Sequence, residues 1–166
     1  MAKVLSVVAP EKFQQVEYLE SKRALEEKGH EVVLCSTHQI AFDKNDEAYK
    51  VDALLDEVFE DEYDAILFVG GKGIQLHFDD PDFQSMARAF YDSEKVTAAI
   101  CAAPVILARA GLLEGKKVTC WPEVGNILEK AGAEYTKEPV ETDGLIVTGD
   151  GPDSAYAFGL KIAELL

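Results

Sequence analysis

Short apolar runs rich in β-branched residues recur along the chain, separated by segments of helical period. That alternation predicts an α/β protein, a mostly parallel sheet with helices on both faces. Val4 to Ala9 reads as the first buried strand. Gln14 to Lys28 follows as a helix with Val16, Leu19 and Leu25 on its inner face and Gly29 as its stop, and Glu31 to Ser36 is the second strand. Thr37 to Lys50 is polar without a clear period and reads as a loop or an edge hairpin at the rim of the sheet. Tyr63 to Val69 is a central strand that breaks at Gly70-Gly71-Lys72-Gly73, and Asp82 to Ser93 supplies the next helix.

Val96 to Ile100 is a strand that runs into Cys101, and Pro104 to Ala110 is a short helix closed by Gly111. Beyond it lie a strand at Val118-Thr119-Cys120, a helix from Glu123 to Ala131, a hairpin from Pro139 to Thr148 turning at Asp143-Gly144, and a terminal helix from Ser154 to Leu166. A length of 166 residues, 48% of them hydrophobic, suits one domain over 1–166 with a core that needs no disulfide or metal.

Charge narrows the partners. Thirty-one Asp and Glu against sixteen Lys and Arg give a formal net charge of −15. A chain so acidic repels phosphate backbones and anionic head groups at long range, so neither nucleic acid nor membrane is an expected partner. Three cysteines in a chain with a full-sized core argue for a reducing cytoplasm over a disulfide scaffold. The opening Met1-Ala2-Lys3 leads into an apolar run too short for a signal peptide or a bilayer span, which also fits a cytoplasmic protein.

In an open parallel sheet the strand carboxyl ends open onto one edge, which gathers Ala9-Pro10, Gly70-Gly71 and Cys101 there. A cysteine between a strand and a helix N-terminus meets backbone N–H groups and the positive end of the helix dipole, both of which favour thiolate over thiol. Ala102 and Ala103 beside it are small enough for the tight turn of a nucleophile elbow. The pattern alone is equally that of an inert core cysteine, since free cysteine is often buried.

Three segments carry a resemblance: Asp64 to Gly71, Ala99 to Thr119 and Asp143 to Pro152. In order and spacing they closely resemble the ThiJ/PfpI superfamily, and the similarity spans nearly the whole chain, as in a divergent PfpI-like member. The resemblance implies a flavodoxin-like three-layer sandwich, assembled as a homodimer or hexamer, with Cys101 as nucleophile and a glutamate of the first helix hydrogen-bonded to its sulfur. Counting back from Gly29, that glutamate falls on Glu17, which by sequence alone is also an ordinary surface helix residue. A protonated carboxyl donating to the thiolate would stabilise it, and burial beside the sulfur would raise the carboxyl's own pKa. Backbone N–H groups near Gly70, Gly71 and Ala102 would then form an oxyanion hole, although a glycine pair there also serves as a plain strand-ending turn.

Two positions depart from the family pattern. PfpI-type proteases carry a histidine directly after the nucleophile, where this chain has Ala102, and the DJ-type branch has one before the proline matching Pro122, where this chain has Trp121. Leaving-group protonation in amide hydrolysis therefore lacks an evident acid. His77, after the Gly-Gly loop, could reach the cysteine of its own or a neighbouring subunit, or it is a surface or interface residue. Trp121 and Cys120 are expected to line the pocket beside Cys101, although packing alone would account for both, and Cys35 reads as core. An oxidised pairing of Cys101 with Cys120 is the other option the cysteines leave. No ligand spacing suggests a metal, and Gly70 to Gly73 lacks the ending of a phosphate-binding loop, so no cofactor is expected. Three readings remain: a cysteine-nucleophile hydrolase or lyase, glyoxalase-like, acting on a reactive small molecule in stress response; a non-enzymatic sensor or chaperone-like stress protein whose Cys101 meets an oxidant; and a PfpI-type intracellular peptidase.

Overall fold

Strand β1 (Lys3–Val7) sets the pattern of the sheet. Successive side chains of a strand point to opposite faces, and here both directions are apolar: Val4 belongs to one buried cluster, Leu5 and Val7 to another. The computed structural model describes residues 1–166 and places β1 near the middle of a seven-stranded sheet. After it come β2 (Glu31–Ser36), the hairpin β3 (Ile40–Phe42) and β4 (Ala48–Lys50), the short β5 (Ala53–Leu54), β6 (Ala65–Phe68) and β7 (Val96–Ile100). The last four are β8 (Lys117–Val118), β9 (Glu134–Tyr135), β10 (Val140–Asp143) and β11 (Ile146–Gly149). The main sheet runs β10-β11-β7-β6-β1-β2-β5, parallel throughout except for the antiparallel β10.

Five helices cover the two faces: α1 (Gln15–Glu27), α2 (Pro81–Asp92), α3 (Pro104–Arg109), α4 (Gly125–Lys130) and α5 (Ala155–Glu164). Tyr18 and Leu25 of α1 and Phe158 and Ile162 of α5 pack in one cluster with Val4, Leu67 and Ala98. On the other side Phe83 and Phe90 of α2, Ile106 of α3 and Leu128 of α4 pack with Leu5, Ile66 and Phe68. This is the three-layer, flavodoxin-like sandwich expected from the sequence.

Of the three apolar residues expected on the inner face of α1, only Leu25 is buried. Val16 and Leu19 are 37% and 45% exposed, while Glu17, Tyr18, Ser21, Ala24 and Leu25 are buried. The cause is the neighbouring helix. A Cβ on Gly159 of α5 would lie 2.7 Å from the Ser21 carbonyl oxygen and 2.8 Å from the Ala24 Cβ, so the two helices touch where only small residues fit. Ser21 and Ala24 must face α5, and Glu17, one turn before Ser21 on the same side, is carried inward with them.

The polar stretch after β2 is the hairpin β3–β4. Fully buried Asp43 orders its turn by accepting hydrogen bonds from the Asn45 and Glu47 N–H groups at 2.8 and 3.0 Å. The strand expected at Val118 to Cys120 ends at Val118 and pairs with β9 outside the main sheet, and the helix expected from Glu123 starts as a single 3-10 turn before α4.

Candidate active site

Neighbouring parallel strands β6 and β7 pair Phe68 with Ala99, so the residues just past their carboxyl ends, Gly70 and Cys101, meet. A Cβ built on Gly70 would lie 2.5 Å from the Cys101 Cβ, 2.7 Å from Glu17 Oε1 and 2.9 Å from the Ile100 carbonyl oxygen. No side chain fits at this point, which is why the chain has glycine there. The start of α1 is tied to the same loop: the Gln14 N–H donates to the Gly70 carbonyl at 3.0 Å, and Phe13 bridges both Gly71 and Asp43. Glu17, on the first turn of α1, is fully buried, and its Oε1 accepts the Gly70 N–H at 2.9 Å.

Cys101 adopts φ +65°, a left-handed conformation that costs a non-glycine residue roughly 1–3 kcal/mol. The other non-glycine residues at positive φ, Lys12, Asp46, Glu94 and Lys137, are all exposed, where turns adopt it freely. At Cys101 the conformation is held from both sides, by its own N–H donating to the Gly149 carbonyl at 2.9 Å and by its carbonyl accepting the Trp121 N–H at 2.8 Å. The chain can then turn at once into α3, with Ala102 and Ala103 buried beneath the turn.

Burial lifts the Glu17 carboxyl from its ordinary 4.5 to about 8, against the Gly70 N–H, the Cys101 side chain and the Lys44 cation, which all draw it down. Its second oxygen, Oε2, is sealed from water with no hydrogen-bond partner, an expensive position for a carboxylate oxygen and a tolerable one for a protonated carboxyl. Burial also pushes the Cys101 thiol up, and an ionised Glu17 would push it further, while the Ala102 and Gly71 N–H groups pull it down. The elbow pattern thus accounts only for the influences that favour the thiolate; the fold adds burial, which opposes it. The α3 helix has six residues, so the local N–H groups, more than a long dipole, face the sulfur. Repulsion between the pair requires both to be ionised, and a neutral Glu17 removes it. Cys35 and Cys120 are fully buried and pushed up to about 12, and Cys101 alone of the three is partly exposed.

Cys101 opens onto a cleft of about 630 Å³, which Ala102, Gly71 and Trp121 also line. Trp121, 41% exposed, sits where the sequence reading put it, against Gly151. Of the other expectations, Cys120 and His77 resolve to the plainer of the two alternatives and Gly70 is corrected. Cys120 does not line the cleft: it lies two residues past the end of β8, fully buried in the core cluster that holds Val118 and Leu128. His77 lies on a separate groove: the 3-10 turn Gly73–His77 carries it away, its ring stacks on Phe83 at 4.6 Å between centroids, and its Nδ1 pairs with Asp80 at 3.1 Å. The Gly70 N–H is taken up by Glu17, which leaves Gly71 and Ala102 as the donors facing the sulfur. Lys12, Lys44 and Lys72, unremarked in the sequence, line the same cleft. Their positions in three separate loops gave no periodicity to find them by.

Fold and site together describe an α/β protein with a cysteine elbow at the carboxyl edge of its sheet and a buried carboxyl beside it. The DJ-1/PfpI family model matches residues 2–165, and the chain belongs to that family. It is 33% identical over 165 residues to a deglycase of Pyrococcus horikoshii, covering 99% of both proteins. To general stress protein 18 of Bacillus subtilis it is 33% identical over 171 residues, covering 100% of this chain and 99% of that one. Among solved structures, a ThiJ/PfpI domain protein from Brachyspira murdochii superposes with a TM-score of 0.95 at 34% identity, over 98% of this chain and 95% of that one. None of the helices is long and apolar enough to cross a membrane.

Proposed function

We propose that Cys101 is a nucleophile for a reactive carbonyl compound and that Glu17 is its proton shuttle, in an enzyme of stress response. The observation that carries this reading is the fully buried Glu17 carboxyl, held near neutral charge and facing Cys101 across a glycine that no side chain could replace. The reactive form holds one proton between carboxyl and sulfur. The thiolate attacks the aldehyde carbon of a 2-oxoaldehyde; the C–S bond forms, the C=O π bond opens, and the carboxyl proton passes to the new alkoxide. The resulting Glu17 carboxylate takes the proton from the same carbon, giving an enediolate; the hydroxyl proton on that carbon's oxygen moves to the neighbouring oxygen and Glu17 returns its proton to the neighbouring carbon, which leaves the thioester of a 2-hydroxy acid. Water hydrolyses the thioester to a 2-hydroxy acid and frees the sulfur, so the sum is 2-oxoaldehyde plus water to 2-hydroxy acid, the aldehyde carbon oxidised as the neighbouring ketone is reduced. The Gly71 and Ala102 N–H groups supply the oxyanion donors. The name deglycase borne by the Pyrococcus relative fits chemistry on the same carbonyl class.

A second reading has its own support. Cys101 is the one partly exposed thiol, and the same donors would hold the oxygens of a sulfenic or sulfinic acid, the product expected of an oxidation sensor. Peptide cleavage is disfavoured because no histidine lines the cleft.

The test is the pH profile of Cys101 alkylation by iodoacetamide, read by peptide mapping, with methylglyoxal loss and lactate formation measured in parallel. The apparent pKa is expected to rise in Glu17→Ala, where the carboxyl that would donate its proton to the sulfur is gone, with Glu17→Gln, whose amide still donates, between. A profile that ignores both substitutions would falsify the pairing. Oxygen gain on Cys101 without turnover would select the sensor.

A further inference from the structure

The cleft over Cys101 has the opposite charge to the rest of the molecule. Overall the chain carries 31 acidic and 16 basic residues, yet the cleft is lined by three lysines, Lys12, Lys44 and Lys72, and by one acid, Glu123. The lysines reach it from three different segments that the backbone clamps together at Phe13. The Phe13 N–H donates to the Phe42 carbonyl at 3.4 Å, the Lys44 N–H to the Phe13 carbonyl at 2.9 Å, and the Gly73 N–H to the Lys12 carbonyl at 3.2 Å. The buried Asp43 carboxylate further orders the turn that carries Lys44. Lys12 is already paired with Asp46 at 2.6 Å, but neither Lys44 nor Lys72 has a carboxylate within salt-bridge reach. In a protein of net charge −15, two unneutralised cations held at the mouth of one cleft are a local reversal of the field. Gln14 and Gln75 add neutral hydrogen-bonding groups to the same lining.

We propose that this cleft is an anion subsite, in which Lys44 and Lys72 hold a carboxylate or phosphate group of the compound whose electrophilic carbon meets Cys101. The proposal rests on Cys101 being the nucleophile. It narrows the substrate from reactive carbonyl compounds in general to those carrying an oxyanion, and binding the anion also orients the carbonyl over the sulfur. The net charge of −15 repels such a compound at long range, and the lysines of the cleft oppose that repulsion locally.

Iodoacetate and iodoacetamide test this directly. They form the same S–C bond with loss of iodide and differ chiefly in charge. At low salt the ratio of Cys101 alkylation rates, iodoacetate over iodoacetamide, is expected to exceed that of glutathione measured alongside. Removing one cation, in Lys44→Gln or Lys72→Gln, should lower it about three- to fivefold, the size of a unit charge acting a few ångströms away in a mostly aqueous cleft. Both positions are exposed, so neither substitution threatens the fold. About 1 M KCl should collapse the ratio in the unaltered protein, because the screening length there is only ~3 Å. At matched ionic strength, protection against iodoacetamide by acetate points to carboxylate compounds and protection by inorganic phosphate to phosphate esters. Reaction with iodoacetamide but no iodoacetate preference, or a preference unmoved by either substitution, overturns the subsite and leaves the nucleophile standing, and so does protection by neither anion. A Cys101 inert to both reagents overturns the nucleophile and the subsite with it.

Discussion

Replacing Glu17 by Gln should change how stability depends on pH more than it changes stability itself. The carboxyl has an ordinary value of 4.5 and stands at about 8 in the fold. A folded value above the unfolded one means that the native state holds a proton the unfolded chain has released, so stability is fully present below about 4.5 and is lost as pH rises toward about 8. The loss is about 1.4 kcal/mol per pH unit, which between pH 5 and 8 amounts to on the order of 4 kcal/mol. This slope belongs to the Glu17–Cys101 pair as a unit, since the first proton lost near 8 is shared between them. Glutamine has the same shape, keeps an oxygen for the Gly70 N–H, and titrates nowhere in this range. Urea unfolding of both proteins at pH 5, 6, 7 and 8 should therefore give similar stabilities at pH 5 and a widening advantage for Glu17→Gln above it. Taking the difference cancels the contribution of the other acidic residues, including Glu20 and Glu27, whose values are lowered by Arg23 and by Tyr156 respectively. A difference that stays constant from pH 5 to 8 would mean that Glu17 is ionised in the fold, and the proton shuttle would have no proton to give.

Two further substitutions probe the geometry. Gly70→Ala should lower stability by about 1–3 kcal/mol through overpacking and slow Cys101 alkylation as well, because the new methyl group collides with both Cys101 and Glu17; urea unfolding and peptide mapping read the two effects, and an unchanged alkylation rate would show that the pair tolerates separation. Cys101→Gly should be more stable than Cys101→Ala by roughly 1 kcal/mol, since both lack the thiol and only alanine bears the strain of φ +65°; equal unfolding midpoints would mean that the elbow relaxes once the sulfur is gone.

The alternation of apolar runs and helical segments, the elbow around Cys101 and the glycine pair at Gly70 were legible in the sequence because each rests on local chemistry: strand periodicity, a proline in the first helical turn, a residue with no Cβ. The hairpin at Asp143-Gly144 is of the same kind, with Gly144 at φ +60°. Glu17 was placed only by resemblance, and the apolar pattern of α1 placed Leu25 correctly but Val16 and Leu19 on the wrong side. Which side of that helix is buried depends on how closely α5 approaches at Gly159, a contact between segments more than a hundred residues apart. The same holds for His77, which sits near the Gly-Gly loop in sequence and is turned away by a single 3-10 turn, and for Lys12, Lys44 and Lys72, which no spacing links. Sequence by itself determined the layers and the cysteine that stands at the strand–helix elbow, because backbone preference and side-chain burial are read residue by residue. Tertiary structure decided the burial of Glu17 and the charge of the cleft, because desolvation and electrostatic fields depend on what the rest of the chain brings within a few ångströms.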